Sequence, residues 1–236
     1  MNSPITLSPT REWEDEHLLV LLKPPGLFTV QKEEDGENNS VMKWLESAAN
    51  EASIFTKHDQ EHGLCHRLDH QTSGLLLVAK SEDILQKMRH KFKHGEIEKR
   101  YKCLVEGEAK ESFTLSHFLY GRYRGSKKVS VSEKEVKRSS HAILHGTLLR
   151  YDAEQNRSLL DIDLITGFRH QIRAQLSSIG HPLVGDSLYG STRKLGDDSF
   201  TPFKELPREF FLHAARLSFH HPITEEQLEF HSETNA

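Results

Sequence analysis

Asp69 stands in a setting that suits it to chemistry. It closes the string His66-Arg67-Leu68-Asp69, and after His70 and Gln71 come the small, turn-prone Thr72-Ser73-Gly74 and an aliphatic run at 75–78. An ionised carboxylate can serve as a nucleophile or as a general base. The aliphatic run reads as a buried strand, which would hold the polar segment rigidly at one end of a sheet. Taken residue by residue, a plainer reading stands beside this one: an Asp next to an Arg is a surface ion pair worth roughly 1 kcal/mol or less.

The elements that would position this segment can be read along the chain. HLLVLLKP, at 17–24, reads as the first strand, stopped by Pro24-Pro25-Gly26. After a polar loop at 32–39, Ser40 is an N-cap for a helix carrying Val41, Trp44, Leu45 and Ala48 on one face. Ser81 caps a second helix with Ile84, Leu85, Met88 and Phe92 on one face, and Gly95 ends it. Strands follow at 99–106, 141–152 and 157–166, the last two as a hairpin. HQIRAQLSSIG reads as a helix with Ile172, Leu176 and Ile179 turned inward, stopped by Gly180-His181-Pro182. Two strands close the chain, in FFLHAARLSFHHP and QLEFHSE. Strands and few helices without regular βαβ alternation imply an α+β fold around a largely antiparallel sheet, in one domain over 1–236.

Composition narrows the class. No apolar run approaches the roughly 20 residues that span a bilayer, and the first residues lack a signal peptide's basic start and apolar stretch. With only Cys65 and Cys103 there is no disulfide framework, so the expected setting is a reducing cytoplasm; the chain is expected to be a monomer. Cys65 adjoins Asp69's string but has no activating partner defined by sequence, and reads as a small buried thiol. The net charge of −4 hides two basic segments. Residues 87–102 and 122–138 each hold seven Lys or Arg against two Glu, and such patches bind phosphates whatever the global sum. On charge alone, a solvated basic face is the competing reading.

The string HRLD-x-x-TSG-LLLVAKS, at 66–81, closely resembles the signature of the RluA family of pseudouridine synthases, in which the Asp is catalytic. EKRYKCLVEG, at 98–107, resembles the family's second motif, where a Tyr, here Tyr101, lies against the target base. LITGFRHQIRAQL, at 164–176, resembles the third, where an Arg, here Arg173, pairs with the catalytic Asp. EDEHLLVLLKPPGL, GHPLVGDSLYG and LHAARLSFHHPITEE match further segments, so the likeness covers about residues 12–228. It implies the pseudouridine synthase catalytic fold: a mixed, largely antiparallel central sheet flanked by helices and loops, with the active-site cleft across it. It also implies RNA as the partner, reached through the two basic segments; many relatives carry a separate N-terminal S4-type RNA-binding domain, and a first strand near residue 17 leaves none expected here. Arg67, His66, Thr72, Arg169, His170 and Gln171 fall at positions expected to bind RNA or substrate. Arg67 would line the space vacated by the extruded base, while His66 suits packing beneath the loop better than acid–base work.

The chemistry fits these residue types. Uridine becomes pseudouridine when N1–C1′ breaks, the base rotates and C5 joins C1′. Nothing is oxidised and no group departs, so neither cofactor nor metal is expected. The carboxylate would attack C1′, attack C6 or remove the C2′ proton. A guanidinium held against it favours its charged form. Two departures concern RNA contact more than catalysis: Phe168 stands where the family has Arg after TG, and Gln175 where it often has His. Rival readings are an RNA-binding protein of this fold without catalysis, a glycosidase lacking its second carboxylate, and a metal enzyme built on His58, His62, His66 and His70. Gly63 interrupts that last spacing.

Overall fold

The computed structural model describes residues 7–30, 39–51, 62–121, 123, 125–195, 206 and 208–232, with no account of the side chains at 49–51. The polar loop expected at 32–39 and His58 thus fall almost wholly outside the described residues, as do Arg122 and Arg124 of the second basic segment. The fold is α+β and mostly antiparallel. It divides into two compact units, the first running to Ile97 and taking up Leu217–Ser232, the second holding most of Glu98–Arg216.

In the first unit, β1 (Thr10–Glu14), β2 (Leu18–Lys23) and β3 (Ser73–Ala79) are antiparallel neighbours. Residues 217–220 of β9 (Leu212–His220) follow them in strand order, with β10 (Gln227–His231) on β9. β2 and β3 are aliphatic because both faces are covered. Leu18, Val20, Leu75 and Leu77 meet Ile84, Leu85 and Met88 of α2 (Glu82–His94), while Leu19, Leu21, Leu76 and Val78 are equally buried on the other side. Fully burying a Leu is worth about 1.5–3 kcal/mol, so this three-element stack is a rigid base.

Helix ends follow the expected chemistry. Ser81 Oγ accepts from the Ile84 N–H, and Gly95 closes α2 at φ 74°. Ser40 Oγ accepts from Lys43 N–H at the start of α1 (Val41–Glu51). The expectation that the first strand begins near residue 17 is corrected, since β1 precedes it. Its sequence TREWE carries a single apolar residue, Trp13, among charged ones, as befits an exposed edge strand.

The second unit orders residues 212–216 of β9, then β4 (Glu98–Glu106), β8 (Arg157–Leu164), β7 (Ser140–Asp152), β5 (Ser112–Gly121) and β6 (Val129–Ser132). The hairpin expected from 141–152 and 157–166 is β7–β8. α3 (Gln171–Ser178) buries Ile172 and Leu176, while Ile179, expected inward, is the helix C-cap and 40% exposed. Here the helix is shorter than its apolar spacing suggests, because the turn into Gly180 begins one residue earlier. No helix among the described residues is long and apolar enough to cross a membrane.

Candidate active site

Asp69 lies half-buried in the first unit, on the loop that leads into β3. The segment after β2 pins this loop from below. Lys23, at the end of β2, is fully buried, and its Nζ donates to three carbonyls: Pro24 at 3.0 Å, Leu27 at 2.7 Å and His70 at 3.1 Å. Gly26 N–H also donates to His70 O, at 3.0 Å, and Gly26 has φ 77°, a conformation that glycine adopts without strain. Thr29 Oγ1 donates to Leu68 O and accepts from Leu68 N–H, and Phe28 stacks on His70 with ring centroids 3.9 Å apart. Thr72 N–H donates to Asp69 O at 3.0 Å, closing a turn around the carboxylate. The residues on both sides of Asp69 are thereby fixed to β2 and its following turn.

The electrostatics centre on Lys23. Burial pulls its ammonium down from 10.5 to about 7, and the Asp69 charge acts in the opposite direction. Three carbonyl acceptors match the three N–H bonds of an ammonium, which also favours the charged form. Thr72 Oγ1 is buried and without a hydrogen-bond partner among the described residues. Arg67 is exposed. His66 serves the scaffold: Leu77 N–H donates to its Nε2 at 3.0 Å, and its ring packs on Phe92. That bond places the ring hydrogen of the neutral imidazole on Nδ1.

In the second unit Tyr101 is a buried residue of β4, opposite Ile162 of β8. Arg173 is buried on α3 and forms a two-pronged pair with Asp186, Nε to Oδ2 at 2.6 Å and Nη2 to Oδ1 at 2.9 Å. Its guanidinium also faces the rings of Phe210, at 4.6 Å, and Tyr189, at 5.0 Å. Tyr189 Oη accepts from Val129 N–H and lies 3.0 Å from His170 Nδ1, so His170 braces this cluster. Gln171, expected at the RNA surface, is buried. Its Oε1 accepts from Thr166 Oγ1 and Phe168 N–H, and its Nε2 donates to Ile143 O. Arg169 donates to the carbonyls of Ser126 and Lys127.

The thiols and the histidine series can be placed too. Cys65 and Cys103 are buried, and burial pushes the Cys103 thiol far up, away from nucleophile chemistry. His62, His66 and His70 lie on turn and loop rather than along a helix. The metal-capable side chains that converge among the described residues are instead His90, His94 and Glu96, exposed at the end of α2.

Residues 17–178 match the RNA pseudouridylate synthase family. The chain belongs to that family. It is 33% identical over 222 residues to the ribosomal large subunit pseudouridine synthase D of Zymomonas mobilis, covering 94% of this chain and 68% of that protein. To the ribosomal large subunit pseudouridine synthase C of Vibrio vulnificus it is 32% identical over 222 residues, covering 93% and 64%. The chain thus spans about two thirds of the length of these relatives. The human RNA pseudouridylate synthase domain containing 1 shares the fold, with a TM-score of 0.69 at 22% identity over 99% of this chain and 86% of that one.

In this pseudouridine synthase, sequence reading singled out Asp69 as a candidate but missed what holds its loop. The available signal was Lys23 itself, a charged residue ending a strand of otherwise aliphatic residues. Asp186 was equally visible within GHPLVGDSLYG, although nothing local says that its partner is Arg173.

Proposed function

We propose that this chain isomerises a specific uridine of RNA to pseudouridine, with Asp69 as the catalytic carboxylate. One observation carries the reading: within a family match across 17–178, the HRLD carboxylate sits on a loop pinned to β2 through Lys23, Gly26 and Thr29. A carboxylate is the kind of group that nucleophilic attack and proton abstraction both use, and this one is half-buried with the charge of Lys23 in its field. Tyr101 and Arg173 complete the catalytic set in this reading. Arg67, exposed at the mouth of the loop, contacts the RNA from which the base is extruded, a step that costs a few kcal/mol.

Residues 12–228 work in this reading as one catalytic domain, a cytoplasmic monomer needing no cofactor. The relatives' names make large-subunit ribosomal RNA the first substrate to test and transfer RNA the second. The test is release of tritium from RNA labelled at uracil C5. The wild type should release it, and Asp69→Asn should lower the rate by at least about a thousand-fold, as expected when a covalent or proton-transfer group is removed. Activity that survives the substitution would sink this assignment.

A further inference from the structure

Phe168 is an aromatic ring set out in water on a rigid turn. It is 40% exposed, with Ile165 beside it on the same turn at 41%. The turn is tied to β7 at several points. Thr166 N–H donates to Ile143 O at 3.3 Å, Ile143 N–H to Thr166 Oγ1 at 2.9 Å, and Gln171 Nε2 to Ile143 O at 3.1 Å. Phe168 N–H itself is held by Gln171 Oε1 at 3.1 Å, and Phe168 O accepts from Gln171 N–H at 3.1 Å. The buried Gln171 amide therefore locks the backbone that presents the ring.

Cationic residues stand next to Phe168 in the chain and on the loop that its neighbour holds. Arg169, the next residue, donates to Ser126 O at 2.6 Å and to Lys127 O at 3.3 Å, which keeps its guanidinium beside a loop bearing exposed Lys127 and Lys128. A Cβ placed on Gly167, the residue before Phe168, would meet nothing within 4 Å, so the turn itself is open to solvent there. An exposed aromatic side chain on a hydrogen-bonded turn, with cationic residues nearby, suits the stacking of an unpaired base and the holding of its phosphate. It is also cheap to use, because a locked turn loses little entropy on binding.

We propose that Phe168 is a stacking platform for an unpaired base of the RNA substrate, with Arg169, Lys127 and Lys128 holding the adjoining phosphates. The inference rests on the RNA substrate of the proposed function but not on the identity of the catalytic residue. Phe168 thereby helps to set which RNA is accepted, where a guanidinium at this place would read charge instead.

The test uses the full chain carrying Asp69→Asn, so that binding is measured without turnover. An unmodified large-subunit ribosomal RNA transcript and oligouridine are the probes. Phe168→Leu, which keeps apolar bulk but removes the π face, should weaken binding about ten-fold, within the range known for loss of one base–aromatic stack. Phe168→Trp should restore the affinity, and its added indole emission, read against the parent's Trp13 and Trp44, should be quenched as RNA binds. Circular dichroism melts check that the variants remain folded. Binding of Phe168→Leu as tight as the parent's, or an unquenched indole on bound RNA, overturns the platform and leaves the proposed reaction standing. Tritium release surviving Asp69→Asn overturns the catalytic assignment and leaves the platform standing. Failure of the parent to bind either RNA overturns the platform, while the catalytic assignment is judged by tritium release alone.

Discussion

Lys23 is the residue on which the Asp69 loop depends, and its titration separates activity from stability. Its Nζ gives three carbonyls a hydrogen, one of them that of His70, next to the proposed catalytic residue. A neutral amine has only two hydrogens to give, so deprotonation leaves one carbonyl unserved. With the ammonium at about 7, activity should fall as pH rises through that region, while the loop loosens. Folding stability should move the other way. The unfolded lysine holds its proton up to 10.5 and the folded one loses it at about 7, so between these values the unfolded state binds more protons. Stability then rises with pH across that window, by an amount on the order of a few kcal/mol. Lys23→Met should lack the basic limb of the rate profile and run at least about ten-fold slower at neutral pH, as a misplacement near 1 Å would cause. Tritium release and urea melts across the pH range read both signs, and a Lys23→Met profile identical to the wild type would discard this role.

Among the elements, α3 and the turn after it depend on one buried ion pair. Arg173 and Asp186 are 8% and 1% exposed at their side chains, and the two prongs, at 2.6 and 2.9 Å, satisfy the carboxylate while the Phe210 and Tyr189 rings exclude water. Removing one partner leaves the other charge buried and uncompensated, which costs about 3–5 kcal/mol. Asp186→Ala should therefore lower the Tm by roughly 10 °C in a chain of this size, and a scanning calorimetry shift under about 2 °C would contradict the pair's structural weight. The pair also marks what sequence could and could not disclose at this scale. β2, β3 and α2 were legible because burial on both faces writes a continuous aliphatic run, and because Ser81 and Gly95 punctuate the helix. β1, β5 and β6 were not, since TREWE, SFTLSHFLYG and VSVS are half-exposed strands whose apolar signal is weak or broken by polar and charged residues. Arg173 was expected to pair with Asp69, and the partner the fold gives its Nε and Nη2 is Asp186, thirteen residues away around a helix and a turn, a proximity only the fold creates.

For the molecule as a whole, the question is how a chain of net charge −4 holds a polyanion. The two basic segments carry the same formal charge but differ in what they have free to offer. In 87–102, Lys87 pairs with Asp83 at 2.7 Å, Lys91 with Glu96 at 3.4 Å and Arg100 with Asp161 at 2.9 Å. Arg89 donates to Leu64 O, and Lys99 is buried deeply enough for desolvation to lower its pKa, against the pull of Asp163. In 122–138, Lys127, Lys128, Lys134, Lys137 and Arg138 are exposed and, among the described residues, none of them is in an ion pair. A cation already neutralised by a carboxylate displaces few counterions when a phosphate arrives, so it adds little to the salt dependence of binding. Lys127→Ala and Lys128→Ala should each weaken RNA binding and reduce the slope of log K against log salt by about one. Lys87→Ala and Lys91→Ala should change that slope by a small fraction of this. Filter binding of a large-subunit ribosomal RNA transcript across a salt series measures both pairs. Equal losses in the two segments would mean that RNA breaks the α2 ion pairs on docking, and the division of labour drawn here would fail.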